Sequence, residues 1–222
     1  MTTMKRVLFG FMLLLVLFTA AACGDDEENG DDVDNGNGNG DEQLEVDIDL
    51  DEAFNNLAEG KDVFMTNIGQ NEETGIIWDV LESVFGDTET RNATIERDAL
   101  LEASDVPEGA LVILVPGASS KGMGGAGVDQ NDERVRAEGF GTRAQNGEIT
   151  LVVIHSGGMT RRGTLSDPLI DAAIEHADLF MATTAGNDDE YLSDQAVLFD
   201  IPFYLYSSYP ALIGPLSQIF GQ

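Results

Sequence analysis

Short apolar runs alternate along this chain with stretches whose apolar positions recur every three to four residues. The runs predict strands at 62–67, 110–115, 149–154, 179–184 and 202–206, with a weaker one near Thr90–Ile95. The strands at 110–115 and 149–154 are almost wholly apolar, as strands covered on both faces should be. Between them the helical period predicts a first helix from Asn71 as N-cap, with a stripe of Ile76, Ile77, Val80, Leu81 and Val84 and a stop at Gly86. A short helix is expected over Arg97–Ala103, before Pro107. A longer one should be capped by Asp129 or Asp132 and run to about Arg143. The next starts at Ser166 with Pro168 in its first turn, burying Leu169, Ile170, Ala173, Ile174 and Ala177. A helix over about 189–198 and a short packed helix in Pro210–Phe220 complete the set. This alternation predicts an α/β fold: a single Rossmann-like or flavodoxin-like three-layer domain with a mostly parallel sheet of five or six strands.

The first 52 residues do not follow that pattern. Residues 1–22 read as a signal peptide, with Lys5 and Arg6 ahead of a twelve-residue apolar run, Val7 to Phe18, too short to span a bilayer. Ala20-Ala21-Ala22-Cys23, with Leu17 just upstream, resembles the lipobox of bacterial lipoproteins. That resemblance implies cleavage after Ala22 and a diacylglyceryl group on Cys23; ordinary cleavage leaving a free thiol is the alternative. Residues 23–52 read as a lipid-anchored acidic linker with fourteen Asp/Glu and no Lys or Arg, too polar and repulsive to fold. Its Asn-Gly repeats do not fit an EF-hand loop. Two acyl chains hold a protein firmly at a membrane, so the expectation is an exported protein anchored on the outer face of the bacterial cell membrane or at the outer membrane.

Residues 53–222 then form the α/β domain. They carry 27 Asp/Glu against nine Lys/Arg. Such a surface repels nucleic acid and anionic headgroups, and it suits solubility in high salt. With Cys23 the one cysteine, a disulfide framework and a Cys-ligated metal are excluded.

Against this acidity, three of the nine domain cations fall in two Gly-rich stretches placed straight after strands. The first is Ser119-Ser120-Lys121-Gly122-Met123-Gly124-Gly125-Ala126-Gly127; the second is His155-Ser156-Gly157-Gly158-Met159-Thr160-Arg161-Arg162-Gly163. In open parallel sheets ligands sit beyond the carboxyl ends of strands, where strand order reverses. The loops there hold Gly69-Gln70, Ser119–Gly127, His155–Gly163, Gly186-Asn187-Asp188 and Ser207-Ser208. Read as a loop, Ser119–Gly127 offers a nest of N–H groups plus Lys121 for an anion; alternatively its glycines only permit a tight turn. One of Arg161 and Arg162 is expected to face a ligand and the other to brace the loop against an acid such as Asp167 or Asp171. His155 is a candidate acid or base, or simply a loop-ordering residue. No G-x-S-x-G elbow supports a triad with Ser119, Ser120 or Ser156. Gly122 to Gly127 fits G-x-G-x-x-G, yet Pro116 to Lys121 intervene after the strand and the next strand ends in His155 instead of an acid, so no dinucleotide or other cofactor is implied. His176 reads as structural. Two His and no further Cys make zinc improbable, and Asn187-Asp188-Asp189 reads as a capping turn before an oxygen-ligated metal site.

The motifs Gly117-x-Ser119-x-Lys121-Gly122-x-Gly124-x-Ala126-Gly127 and His155-x-Gly157-Gly158-x-x-Arg161-Arg162-Gly163 resemble those of an uncharacterised bacterial family of exported or lipid-anchored domains of unknown function. Glu133 and Arg134, Ser166-Asp167, Gly186-Asn187-x-Asp189 and Gly69-Gln70 add to the likeness, which covers nearly all of 60–210. Asn71-Glu72 and Asp189-Glu190-Tyr191 depart from it. The resemblance implies an α/β domain with a site at these loops and no assigned activity. The reading the residues favour is a lipid-anchored, extracytoplasmic domain that binds a small anionic solute, carboxylate or phosphate, through Lys121, Arg161 and loop amides, with Gln70, His155 and Asn187 orienting it. A hydrolase or transferase on a phosphorylated or acylated envelope compound, using His155, is the first alternative. A cell-surface protein-interaction module is the second.

Overall fold

The computed structural model describes residues 52–86 and 93–221. The expected signal peptide, Cys23 and the linker up to Asp51 lie outside the described residues, as does the first part of the strand expected at Thr90–Ile95.

Six strands form one parallel sheet: β1 Val63–Ile68, β2 Ile95–Arg97, β3 Leu111–Pro116, β4 Thr150–His155, β5 Leu179–Thr183 and β6 Phe203–Tyr206. Their order is β2-β1-β3-β4-β5-β6. The chain steps from β1 outward to β2, then returns across β1 to β3 and continues the other way. Strand order therefore reverses between β1 and β3, as in flavodoxin-like sheets.

Six α-helices cover the sheet among the described residues: α1 Glu73–Phe85, α2 Ser120–Ala126, α3 Gln130–Gln145, α4 Asp167–Ile174, α5 Tyr191–Phe199 and α6 Ile213–Phe220. Side chains alternate across each strand, and the two cores follow that alternation. Leu111, Ile113, Val115, Val152 and Ile154 pack with Ile77 and Leu81 of α1 and Leu216 and Ile219 of α6. Val112, Leu114, Leu151 and Val153 pack with Phe140 of α3, Leu169 and Ala173 of α4 and Leu192 of α5. The result is helix, sheet, helix. Among the described residues no helix is long and apolar enough to cross a membrane.

Several local expectations need correction. The stripe of α1 is Ile77, Leu81, Val84 and Phe85, while Ile76 is 44% exposed. The second strand lies at Ile95–Arg97, later than the sequence placed it. In place of a helix over Arg97–Ala103 there is only a short 3-10 turn, Ala103–Asp105. Asp98 accepts the Leu100 N–H at 2.9 Å, an Asx turn that diverts the backbone from a helix. The largest correction concerns Ser119–Gly127, which is not a loop. Ser119 caps α2 by accepting the Gly122 N–H at 3.0 Å, and Gly127 ends it in the left-handed region at φ 75°. Asp129 caps α3 in a reciprocal box with Asp132.

Candidate functional site

The carboxyl ends of β1, β3 and β4 converge on a small cleft. It is lined by Asn71, Glu73, the Pro116–Ala118 turn, His155–Gly157 and Arg161. Its free volume is about 10 Å³, room for roughly one water.

Each wall has a local cause. Gly69 leaves β1 at φ 92°, close enough to Gly117 and Ala118 that any side chain would strike their backbone. This contact brings the turns after β1 and β3 together, and the Ser119 N–H donates to Gly69 O at 2.8 Å. Asn71 is buried with its Nδ2 on Val115 O at 2.7 Å, while its Oδ1 accepts the N–H and hydroxyl of Thr74. It thus does the work of an N-cap for α1, as its place in the sequence suggested, and ties that helix start to β3. Ser166 sits at the start of α4, but its hydroxyl accepts the Ala118 N–H at 3.0 Å instead of capping its own helix.

His155 is the polar end of β4. It is 1% exposed, and its Nδ1 lies 3.0 Å from Pro116 O. A carbonyl only accepts, so Nδ1 carries the proton and the lone pair is on Nε2. Burial holds the imidazole below its ordinary pKa and the Arg162 charge pushes the same way, while the bond to Pro116 and the charges of Glu73 and Asp167 oppose it. Nε2 is buried without a hydrogen-bond partner, and so is Oγ of Ser156. Buried polar atoms without partners are uncommon and call for an explanation.

The two arginines divide the tasks the sequence left open between them. The side chain of Arg162 is 3% exposed and locked: Nε on Asp167 at 2.6 Å, Nη1 on Gly186 O at 2.7 Å and Asp189 at 3.4 Å, the guanidinium 4.5 Å above the Tyr191 ring. It braces the loop. Arg161 is half exposed at the cleft, with Nε on Glu73 Oε1 at 2.8 Å and Glu73 itself 13% exposed.

Of the residues singled out from sequence, His155, Ser156, Gly157 and Arg161 line this cleft. Lys121 stands exposed at the start of α2 and is not among the cleft's walls, and no described acid is ion-paired with it. Ser119 spends its hydroxyl on the cap, and Ser120, Gly124 and Gly127 lie on the small α2 and its end. Gly122 packs on the Gln70 carbonyl. The expected nest of amides is largely used internally: the N–H groups of Gly117, Ala118, Ser119, Gly122 and Met123 donate to Ile68 O, Ser166 Oγ, Gly69 O, Ser119 Oγ and Ser119 O. Gln70, in the left-handed region at φ 56°, reaches Ala99 O and Glu133. Gly158 faces Ala185. Asn187 is buried and holds the N–H and hydroxyl of Ser193 at the start of α5. Among the described residues no group of three or more His, Cys, Asp or Glu could hold a metal.

Sequence reasoning did not assign Asn71, Glu73, Pro116, Gly117 or Ala118 to a site. Glu73 was not readable because its partner lies on another strand's loop. It also missed a buried ion pair behind the site. Glu133 and Arg136 of α3 are 1% and 6% exposed and joined at 2.7 Å. Glu133 accepts the Gly69 N–H at 2.5 Å, while Arg136 donates to Thr66 Oγ1, Asn67 O and Leu101 O. The pair fixes the exit of β1.

A reversing parallel sheet with a polar cleft at its carboxyl edge defines an α/β protein whose candidate site lies at the switch point. The chain belongs to the family described as a domain of unknown function, DUF6305, which matches residues 60–220. A search of the curated proteins found no match.

Proposed function

We propose that this domain binds a small anion, a carboxylate or phosphate, at the carboxyl edge of the sheet, and that a lipid on Cys23 tethers it at the outer face of a bacterial membrane. One observation carries the ligand reading. A half-exposed arginine, Arg161, sits at the mouth of a switch-point cleft whose floor holds two buried polar atoms without partners, His155 Nε2 and Ser156 Oγ. Arginine presents a planar fork suited to carboxylate or phosphate. Arg161, not the buried Arg162 or the outlying Lys121, is the cation that an incoming anion meets. The remaining domain is strongly acidic, so affinity comes from this local fork and not from the general field.

The test is a thermal-shift panel of organic acids and inorganic phosphate. At least one compound should raise the melting temperature, and Arg161→Ala should remove that rise. A panel without any rise, or a rise untouched by Arg161→Ala, contradicts the reading. The tether is tested separately: Cys23→Ser should move the protein from the membrane fraction to the soluble fraction, and unchanged fractionation counts against it.

The unprotonated, buried Nε2 of His155 favours a second reading, a hydrolase or transferase acting on a phosphorylated or acylated envelope compound with His155 as base. There, His155→Ala abolishes turnover of an identified substrate and leaves its affinity intact.

A further inference from the structure

The groups that the fold leaves unsatisfied in the cleft are not all of one kind, and their mixture constrains the ligand. Arg161 brings a cation, and Glu73 already occupies it with a carboxylate oxygen at 2.8 Å. The slot is thus shaped around a planar monoanion supplied by the chain itself. Arg161 and Glu73 together are neutral, so a carboxylate that takes Glu73's place on Arg161 leaves the corner with one excess negative charge and a phosphate dianion leaves it with two.

His155 makes the opposite demand. With Nδ1 donating to Pro116 O, its Nε2 can only accept. The Cε1 and Cδ2 edges of the ring lie beside Gly157 and Gly186, where a side chain on either glycine would crowd them. Nε2, between those two ring atoms, therefore faces two residues that have no side chain. Above Gly157 lies the aliphatic stem of Arg161. His155, Ser156 and Arg161 line one cleft, so a ligand whose carboxylate displaces the Glu73 side chain from Arg161 enters the space that His155 and Ser156 line. Ser156 Oγ, the neighbouring orphan, can accept or donate.

We propose that the site takes a small hydroxy acid: the ligand's carboxylate replaces Glu73 on Arg161, and its hydroxyl donates to His155 Nε2. This rests on the anion reading above and narrows it. A neutral hydroxyl fits better than an ammonium, because a second cation would be desolvated beside Arg161 and the buried Arg162. A plain carboxylic acid satisfies Arg161 and leaves Nε2 orphaned, so the hydroxyl is the group that distinguishes a good ligand from a poor one.

The experiment compares matched acids by calorimetric titration of the full-length protein: lactate against propanoate, and malate against succinate. The hydroxy acid of a pair should bind at least about tenfold more tightly, the scale of one well-made buried hydrogen bond. His155→Asn retains a donor where Nδ1 stood and removes the Nε2 acceptor, so it should bring the two acids of that pair to equal affinity. Equal affinities in the unaltered protein overturn the hydroxy-acid inference and leave the anion reading standing. A preference that survives in folded His155→Asn also overturns it. If neither member of any pair binds and inorganic phosphate is equally silent, the anion reading falls with it. Should His155→Asn fail to fold, the comparison of matched acids on the unaltered protein decides alone.

Discussion

A Cβ at Gly122 has no room, because it would strike the Gln70 carbonyl and crowd the Ser119 hydroxyl that caps the helix; two residues on, a Cβ at Gly124 meets nothing within 4 Å. The same substitution should therefore act with opposite sign at the two positions. Gly122→Ala should destabilise the protein by about 1–3 kcal/mol, the scale of overpacking. Gly124→Ala should be neutral or stabilise by up to about 1 kcal/mol, because alanine is the better helix former. Urea denaturation midpoints of the two variants check both signs. His155 supplies a pH dependence. Its folded pKa lies below the ordinary 6.5, chiefly through burial. As pH falls through about 6.5 the unfolded chain takes up a proton that the folded protein refuses, so the unfolded state gains and stability drops. That contribution is fully present above 6.5. Asp171 and Asp178 have pKa values raised by partial desolvation and act with the opposite sign at lower pH. Subtracting the stability profile of His155→Asn from that of the unaltered protein isolates the histidine, and the difference should shrink between about pH 7 and pH 5.5. A flat difference would mean that His155 is not held neutral by burial.

At the scale of elements, the sheet was legible in the sequence and the first Gly-rich motif was not. β3, β4 and β5 are near-continuous apolar runs because both faces are covered, and no competing signal obscures them. α2 carries three glycines in seven residues, a composition that argues against helix. What overrides it is local: the Ser119 cap, the left-handed Gly127 terminus and the burial of Met123. The glycines mark close approach to the β1 exit, at Gly122 above all, and not an anion nest. Arg161 and Arg162 were legible as a pair, and so was Asp167 as the brace of one of them; which arginine it holds depends also on Glu73, an acid that only the fold brings near. The Glu133–Arg136 pair lies three residues apart on one helix, but its burial was invisible because α3 reads as polar on nearly every side. Removing one partner of a buried pair leaves an uncompensated charge. Arg136→Met should accordingly cost about 3–5 kcal/mol of unfolding free energy. Exposed Arg134, paired with Glu138, offers the control: Arg134→Met should change stability by less than about 1 kcal/mol.

For the molecule as a whole, one reversal of strand order sets where chemistry can occur. Because α1 leaves β1 on one face of the sheet and α3 packs on the other, among the described residues the cleft between the carboxyl ends is lined by the turns and by Arg161. Those turns are held from behind by Glu133 and Asn71 and from the side by Arg162, so the cleft is rigid at its back and closed at its front by one exposed pair, Arg161 with Glu73. The central claim is that Glu73 occupies the position a ligand carboxylate takes. Titration of lactate into Glu73→Gln measures this most directly, because the change removes the resident charge and leaves Arg161 in place. Binding several-fold tighter than in the unaltered protein is the expected result. Affinity that is unchanged or weaker in a folded Glu73→Gln protein would contradict the claim, since Arg161 would then be no freer to accept an anion than before.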